Sequence, residues 1–179
     1  MTTVRRQTRE TTVRVQLTND DSDTTISTTI PFLDHMLLTL ARYARLGLRV
    51  EACGDLPHHV SEDVAIAFGA AIASRRLETA ARFGERTVAM DDALVQCVLD
   101  AGGRSYYRGP VPSVRYEHWM RSFAENARAT LHLRVLRGRD RHHIVEAAFK
   151  ALGLALRDAM ADAAVPLGTK GAVSLEVTP

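Results

Sequence analysis

The sequence is poor in cysteine, in lysine and in long apolar runs. Cys53 and Cys97 are its only cysteines, and both fall in stretches with strand character, "LRVEAC" and "ALVQCVL". Two thiols among 179 residues make no disulfide framework. They read as buried side chains in a reducing cytoplasm. No run of 18 apolar residues occurs, so no segment is long enough to cross a bilayer as a helix. The opening "MTTVRRQTRETTVRVQL" has no apolar core, which argues against a secretory signal. Net charge is nearly absent: 23 basic residues, almost all arginine, face 21 acidic ones, for +2 overall. That balance gives no electrostatic case for nucleic acid. There is also no Pro/Gly/Ser-rich linker and no low-complexity segment. The expectation is a cytoplasmic chain binding neither nucleic acid nor membrane, forming a single domain of two repeats, about 1–87 and 88–179.

The apolar pattern predicts an α+β fold. "TTVRVQL" alternates at strand period, and "TTISTTI" is β-branched. Pro31 opens a helix with Leu33, Met36, Leu37 and Leu40 on one stripe. "LRVEAC" is a strand, and Asp55 is placed to cap a long helix from about His58 to Thr79. The second half repeats the order: strands in "ALVQCVLDA" and "SYYRG", a helix around "YEHWMRSFAENA", the strand "ATLHLRVL", and a long helix from about Arg141 to Ala163. The tail "AVSLEV" alternates again.

The repeat is also visible residue by residue. Gly54, His58, His59, Glu62 and Gly69 recur 84 positions later as Gly138, His142, His143, Glu146 and Gly153. Asp34-His35 recurs as Glu117-His118, one residue short of that offset. Such a pattern indicates duplication and a pseudo-two-fold domain. A single HHxxE would most simply be a solvated helix end. Two copies in register, each with a further histidine at matched distance, point to metal instead. On a helix His58 and Glu62 share a face, while His59 is turned by about 100° and so faces a different ion. The inventory is two matching sets of three histidines and one glutamate, four protein ligands for each of two metals. An N/O donor set with positions to spare fits octahedral Mn²⁺, and is also compatible with Zn²⁺, Fe²⁺ or Co²⁺. His132 has no repeat counterpart and reads as structural. Glu10, Arg82 and Arg104 read as surface charges, and "GTKG" as a turn whose N–H groups could hold phosphate.

Taken together, "PFLDHML", "HHVSEDVAIAFGAAI", "ARFG", "MDDAL", "GGRSY", "EHWMRSFA", "TLHLRVLRGRDRHHIVEAAFKALGLALRDA" and "TKG" resemble the imidazoleglycerol-phosphate dehydratases, from Arg9 to Gly171. The resemblance implies internally duplicated half-domains with mixed or antiparallel sheets packed on paired helices, like the second domain of ribosomal protein S5. It implies dehydration of imidazoleglycerol phosphate to imidazole-acetol phosphate in histidine biosynthesis, with two Mn²⁺ per site binding the imidazole or imidazolate ring. It implies trimers assembled into a 24-subunit shell, with sites at subunit interfaces. Carried over by motif, the metal ligands are His35, His58, His59, Glu62, His118, His142, His143 and Glu146. Glu10 and Glu146 are the catalytic carboxylates, Glu10 as an acid–base group. Arg82, Arg104, Thr169 and Lys170 bind substrate, chiefly at its phosphate. The chain departs from the pattern where "GDLPHH" replaces a longer acidic approach of the type "HIDDHH", removing carboxylates expected to support the histidines. It also departs at "GGRSYY", at "PLGTKG", and at "GRDRHH", which has no acid directly before its first histidine.

Overall fold

A computed structural model describes residues 1–18 and 20–164. The expected strand in "AVSLEV", together with Thr169 and Lys170, lies outside the described residues.

The elements run β1 (Thr2–Gln7), β2 (Thr11–Thr18), β3 (Thr25–Ser27), α1 (Pro31–Ala44), β4 (Gly47–Gly54), α2 (Pro57–Arg75), β5 (Phe83–Met90), β6 (Ala93–Asp100), β7 (Tyr106–Arg108), α3 (Val114–Asn126), β8 (Thr130–Arg137) and α4 (Arg141–Ala159). They form two four-stranded sheets with identical topology, β1-β2-β4-β3 and β5-β6-β8-β7. Within each, the first three strands are antiparallel, and β3 or β7 adds in parallel to the third. The duplicated α+β architecture is therefore as the pattern predicts.

Each sheet packs one face on helices of its own half, and the helices meet across the halves: α1 lies on α4, and α2 on α3. The stripe Leu33, Met36, Leu37 and Leu40 is fully buried, as are Phe68, Trp119, Phe123 and Phe149 between the helix layers. The Trp119 and Phe123 rings stack at 5.6 Å between centroids. The repeated glycines explain how closely the helices cross. A Cβ on Gly69 of α2 would lie 2.7 Å from the Phe123 carbonyl oxygen of α3. A Cβ on Gly153 of α4 would lie 2.7 Å from the Leu40 carbonyl oxygen of α1. Only a missing side chain lets the backbones approach this far.

Several local expectations are corrected. α2 ends at Arg75 rather than Thr79, and α4 at Ala159 rather than Ala163. β3 keeps three residues of the longer predicted strand. Asp55 does not cap α2: the N-cap is Leu56, which has no side-chain cap bond, and Asp55 turns to His59 instead. Asp140 does cap α4, accepting the His142 N–H. Cys97 is buried, and that burial pushes its thiol pKa up. Cys53 is exposed, because β4 alternates and its odd positions near the end face away from the helices.

Candidate metal centre

The helix pairing decides which predicted ligands meet. Because α1 lies on α4, His35 of the first half joins His142 and Glu146 of the second. Because α2 lies on α3, His118 of the second half joins His58 and Glu62 of the first. In each trio the donor atoms lie within 4.8 Å of one another. His35 Nε2 and His142 Nε2 approach Glu146 Oε2 at 3.5 and 3.2 Å. His58 Nε2 lies 3.7 Å from Glu62 Oε2, and the His58 and His118 rings are 5.1 Å apart between centroids. The lone histidine of each half thus serves the HxxxE pair of the other.

His59 and His143 face elsewhere, as the turn between adjacent helical residues requires. Nδ1 of His59 is 2.8 Å from Asp55 Oδ1 and 3.6 Å from Glu10 Oε2. Nδ1 of His143 is 2.8 Å from Asp92 Oδ1, and its Nε2 is 3.4 Å from Asp91 Oδ2. Each second histidine therefore has a carboxylate partner at Nδ1, which would orient the ring. These partners raise the pKa of both imidazoles. The His143 hydrogen bond, with N–H donation from Arg139 and Asp140, holds the Asp92 carboxyl down at about 2. Within the shortened approach "GDLPHH", Asp55, one helical turn before His59, supplies a carboxylate partner to that ring.

The two trios are not electrostatically equal. Glu146 is buried, whereas Glu62 is half-exposed. Burial raises the pKa of Glu146, but hydrogen bonding and charge from Lys150, with Nζ 2.9 Å from Oε1, and then from His35, outweigh it and bring the pKa down. Lys150 was missed by the sequence reading. Its signal was present: it sits one turn beyond Glu146, where the other repeat has Ile66. Asp92 was missed as well, although it occupies the tip of the second hairpin as Glu10 occupies the tip of the first.

Arg82 and Arg104 come together elsewhere. Arg82 binds Asp100 through two parallel bonds, Nε to Oδ1 at 2.6 Å and Nη2 to Oδ2 at 2.9 Å. The positive charge of Arg104 also acts on Asp100. The Arg82 N–H donates to the carbonyl of Ala159, at the C-terminal end of α4. His142 is at the other end, roughly 26 Å away along the helix. One chain's arginines and its own His35–His142–Glu146 trio are thus far apart.

The Arg82 hydrogen bonds lower the Asp100 pKa against the effect of burial. A carboxylate depressed on folding contributes stability above its unfolded value, and that contribution is lost as pH falls through the folded one. Asp100→Asn is therefore expected to cost about 1 kcal/mol near neutral pH for this partly exposed pair. It should also flatten the loss of stability below about pH 4 in thermal unfolding across pH.

A family model described as imidazoleglycerol-phosphate dehydratase matches residues 28–156. The chain belongs to this family. An imidazoleglycerol-phosphate dehydratase from Pyrobaculum calidifontis is 46% identical, aligned over 93% of this chain and 97% of its own length. One from Desulforudis audaxviator is 42% identical, over 96% of each. The crystal structure of the Pyrococcus furiosus dehydratase, in complex with (S)-C348, superposes with a TM-score of 0.86 at 36% identity, covering 94% of this chain and 99% of that one. The Staphylococcus aureus dehydratase superposes with a TM-score of 0.79 at 30% identity, covering 89% and 99%. The chain is a hydro-lyase of histidine biosynthesis. No helix among the described residues is long and apolar enough to cross a membrane.

Proposed function

We propose that this dehydratase converts D-erythro-imidazoleglycerol phosphate to imidazole-acetol phosphate and water in the cytoplasm, with the substrate ring held at a dinuclear Mn²⁺ site. The observation that carries the reading is the crossing of the repeats, which gathers two His/His/Glu trios from helices that are rigidly packed. Two imidazoles and a carboxylate within 4.8 Å fit a divalent ion of borderline softness. His35, His142 and Glu146 would hold one ion, and His58, Glu62 and His118 the other. His59 and His143 point away from both trios and would complete the ligand sets of neighbouring subunits. Metal bound there supplies Lewis acidity, which lowers the cost of negative charge on the ring.

The chain's own groups do the rest. Glu10 takes the carbon-bound proton. The adjacent C–O bond breaks, and the hydroxyl leaves as water with a proton that the Lys150 ammonium, whose Nζ is 2.9 Å from the Glu146 carboxylate, would supply. The resulting enol then tautomerises to the ketone. Arg82, Arg104, Thr169 and Lys170 bind the phosphate by charge-assisted hydrogen bonds and fix the ring. The separation of Arg82 from His142 within one chain supports a site shared between subunits, in keeping with the trimers and 24-subunit shell that the family resemblance implies. Glu10→Gln should lower kcat by about 10²–10⁴ while substrate and Mn²⁺ binding persist, as read by steady-state kinetics and metal titration. Unchanged turnover would remove Glu10 from the mechanism.

A further inference from the structure

The first half holds a buried carboxylate that the second lacks. Asp63 follows Glu62 on α2 and is 8% exposed; its repeat counterpart is Ala147. Both of its oxygens are engaged. Oδ1 accepts from Arg6 Nε at 2.8 Å, and Oδ2 accepts from the Thr11 hydroxyl. Arg6 lies near the end of β1, and Thr11 begins β2, so Asp63 clamps the β1–β2 hairpin from both sides of its turn.

The turn carries Glu10. Thr8 Oγ1 accepts the backbone N–H groups of Glu10 and Thr11 at 3.1 and 3.0 Å, and lies 3.2 Å from Thr11 Oγ1. On its other side the Glu10 carbonyl accepts the Asp55 N–H at 3.0 Å. A continuous path of hydrogen bonds thus runs from Asp63 through Thr11 and Thr8 to the backbone of Glu10. The Glu10 side chain itself is 58% exposed and reaches His59 Nδ1 at only 3.6 Å. Its position is set by its backbone rather than by packing of its side chain. The second hairpin is held differently: Asp92 accepts the N–H groups of Arg139 and Asp140, with nothing from α4 at the Ala147 position.

We propose that Asp63 is a positioning residue for Glu10, tying the hairpin that presents it to the helix that carries His58, His59 and Glu62. The proposal rests on the reading of Glu10 as the proton acceptor. A hairpin tip held only by its own turn wanders, and a misplacement of about 1 Å at a reacting group is costly in rate. The clamp converts a mobile carboxylate into one registered to the metal-binding helix.

The test uses the full chain loaded with Mn²⁺. Asp63→Asn should lower kcat about tenfold, with KM and Mn²⁺ affinity nearly unchanged. Thr11→Val, isosteric and less disruptive, should act in the same direction and keeps the proposal testable if Asp63→Asn folds poorly. In metal-free protein both should speed hydrogen exchange in the hairpin peptide spanning Arg6 to Thr12, independently of activity. In a Glu10→Gln background neither should lower kcat further. The proposal is overturned if Mn²⁺ affinity falls in step with kcat, if the losses add to that of Glu10→Gln, or if hairpin exchange is unchanged. Wild-type turnover in Glu10→Gln alone would instead overturn the reading of Glu10 itself.

Discussion

Replacing His35 by alanine is expected to weaken the ion held with His142 and Glu146, and to spare the one held with His58 and Glu62. By chain order the opposite would be natural, since His35 shares a half with His58. The geometry decides it: His35 Nε2 is 3.5 Å from Glu146 Oε2, across the α1–α4 contact. Loss of one imidazole from so small a donor set should lower affinity at that ion by about 100-fold or more, above the range seen for supporting residues. His118→Ala should do the same to the ion of His58 and Glu62. A two-site Mn²⁺ titration of both variants, followed by calorimetry or by the spin signal of free Mn²⁺, separates the outcomes. If His35→Ala and His58→Ala empty the same ion, the crossed assignment is wrong. Glu146→Gln belongs in the set, but it also strips the half-buried Lys150 of its carboxylate, so its stability must be followed in parallel. His35→Ala is the cleaner probe, because that side chain is half-exposed.

Gly69→Ala should destabilise the fold by about 2 kcal/mol, although alanine is the better helix former by about 1 kcal/mol. The added methyl would lie 2.7 Å from the Phe123 carbonyl and 2.8 Å from the Ala127 nitrogen, which are backbone atoms and cannot swing aside. α2 and α3 would have to separate. That separation also draws His118 from His58 and Glu62, so the variant should lose affinity at that ion and keep it at the other. Gly153→Ala should act likewise through α1 and α4, with its methyl 2.7 Å from the Leu40 carbonyl. Denaturant unfolding of the metal-free protein measures the first effect, and the same two-site titration the second. A stabilised Gly69→Ala would mean that helix propensity outweighs the close approach.

How much of this was legible beforehand depended on whether a residue's role is local. The helix beginning at Pro31 announces itself through Leu33, Met36, Leu37 and Leu40, because its burial is periodic. β1 and β5 were missed, and both for one reason. Each is the edge strand that opens its sheet, with a single partner and little apolar alternation: Val4 is the one aliphatic residue in "TTVRRQ", and most of "FGERTVAM" is exposed. Both strands still turn alternate residues toward the core, Val4 in β1 and Val88 and Met90 in β5, but these are too few to mark a strand in the sequence. Asp55 looks like a cap from its position before a helix, yet its carboxylate is 2.8 Å from His59 Nδ1. A short polar side chain at that place can reach either a backbone N–H or the residue one turn on, and spacing does not choose.

The sequence alone determined the donor inventory, the duplication, the family and most of the elements, because each is written in residue identity and short-range period. The tertiary structure decided which donors meet. His35 lies closer in sequence to His58 than to His142, but ligand groups form where helices touch, and the contacts run between halves. The close approach at Gly69 and Gly153 sets those contacts, and the hairpins bring Glu10 and Asp92 to the second histidine of each pair. The doubled HHxxE is thus completed by packing: each copy meets the other half's lone histidine, which only the crossing of four helices brings within reach.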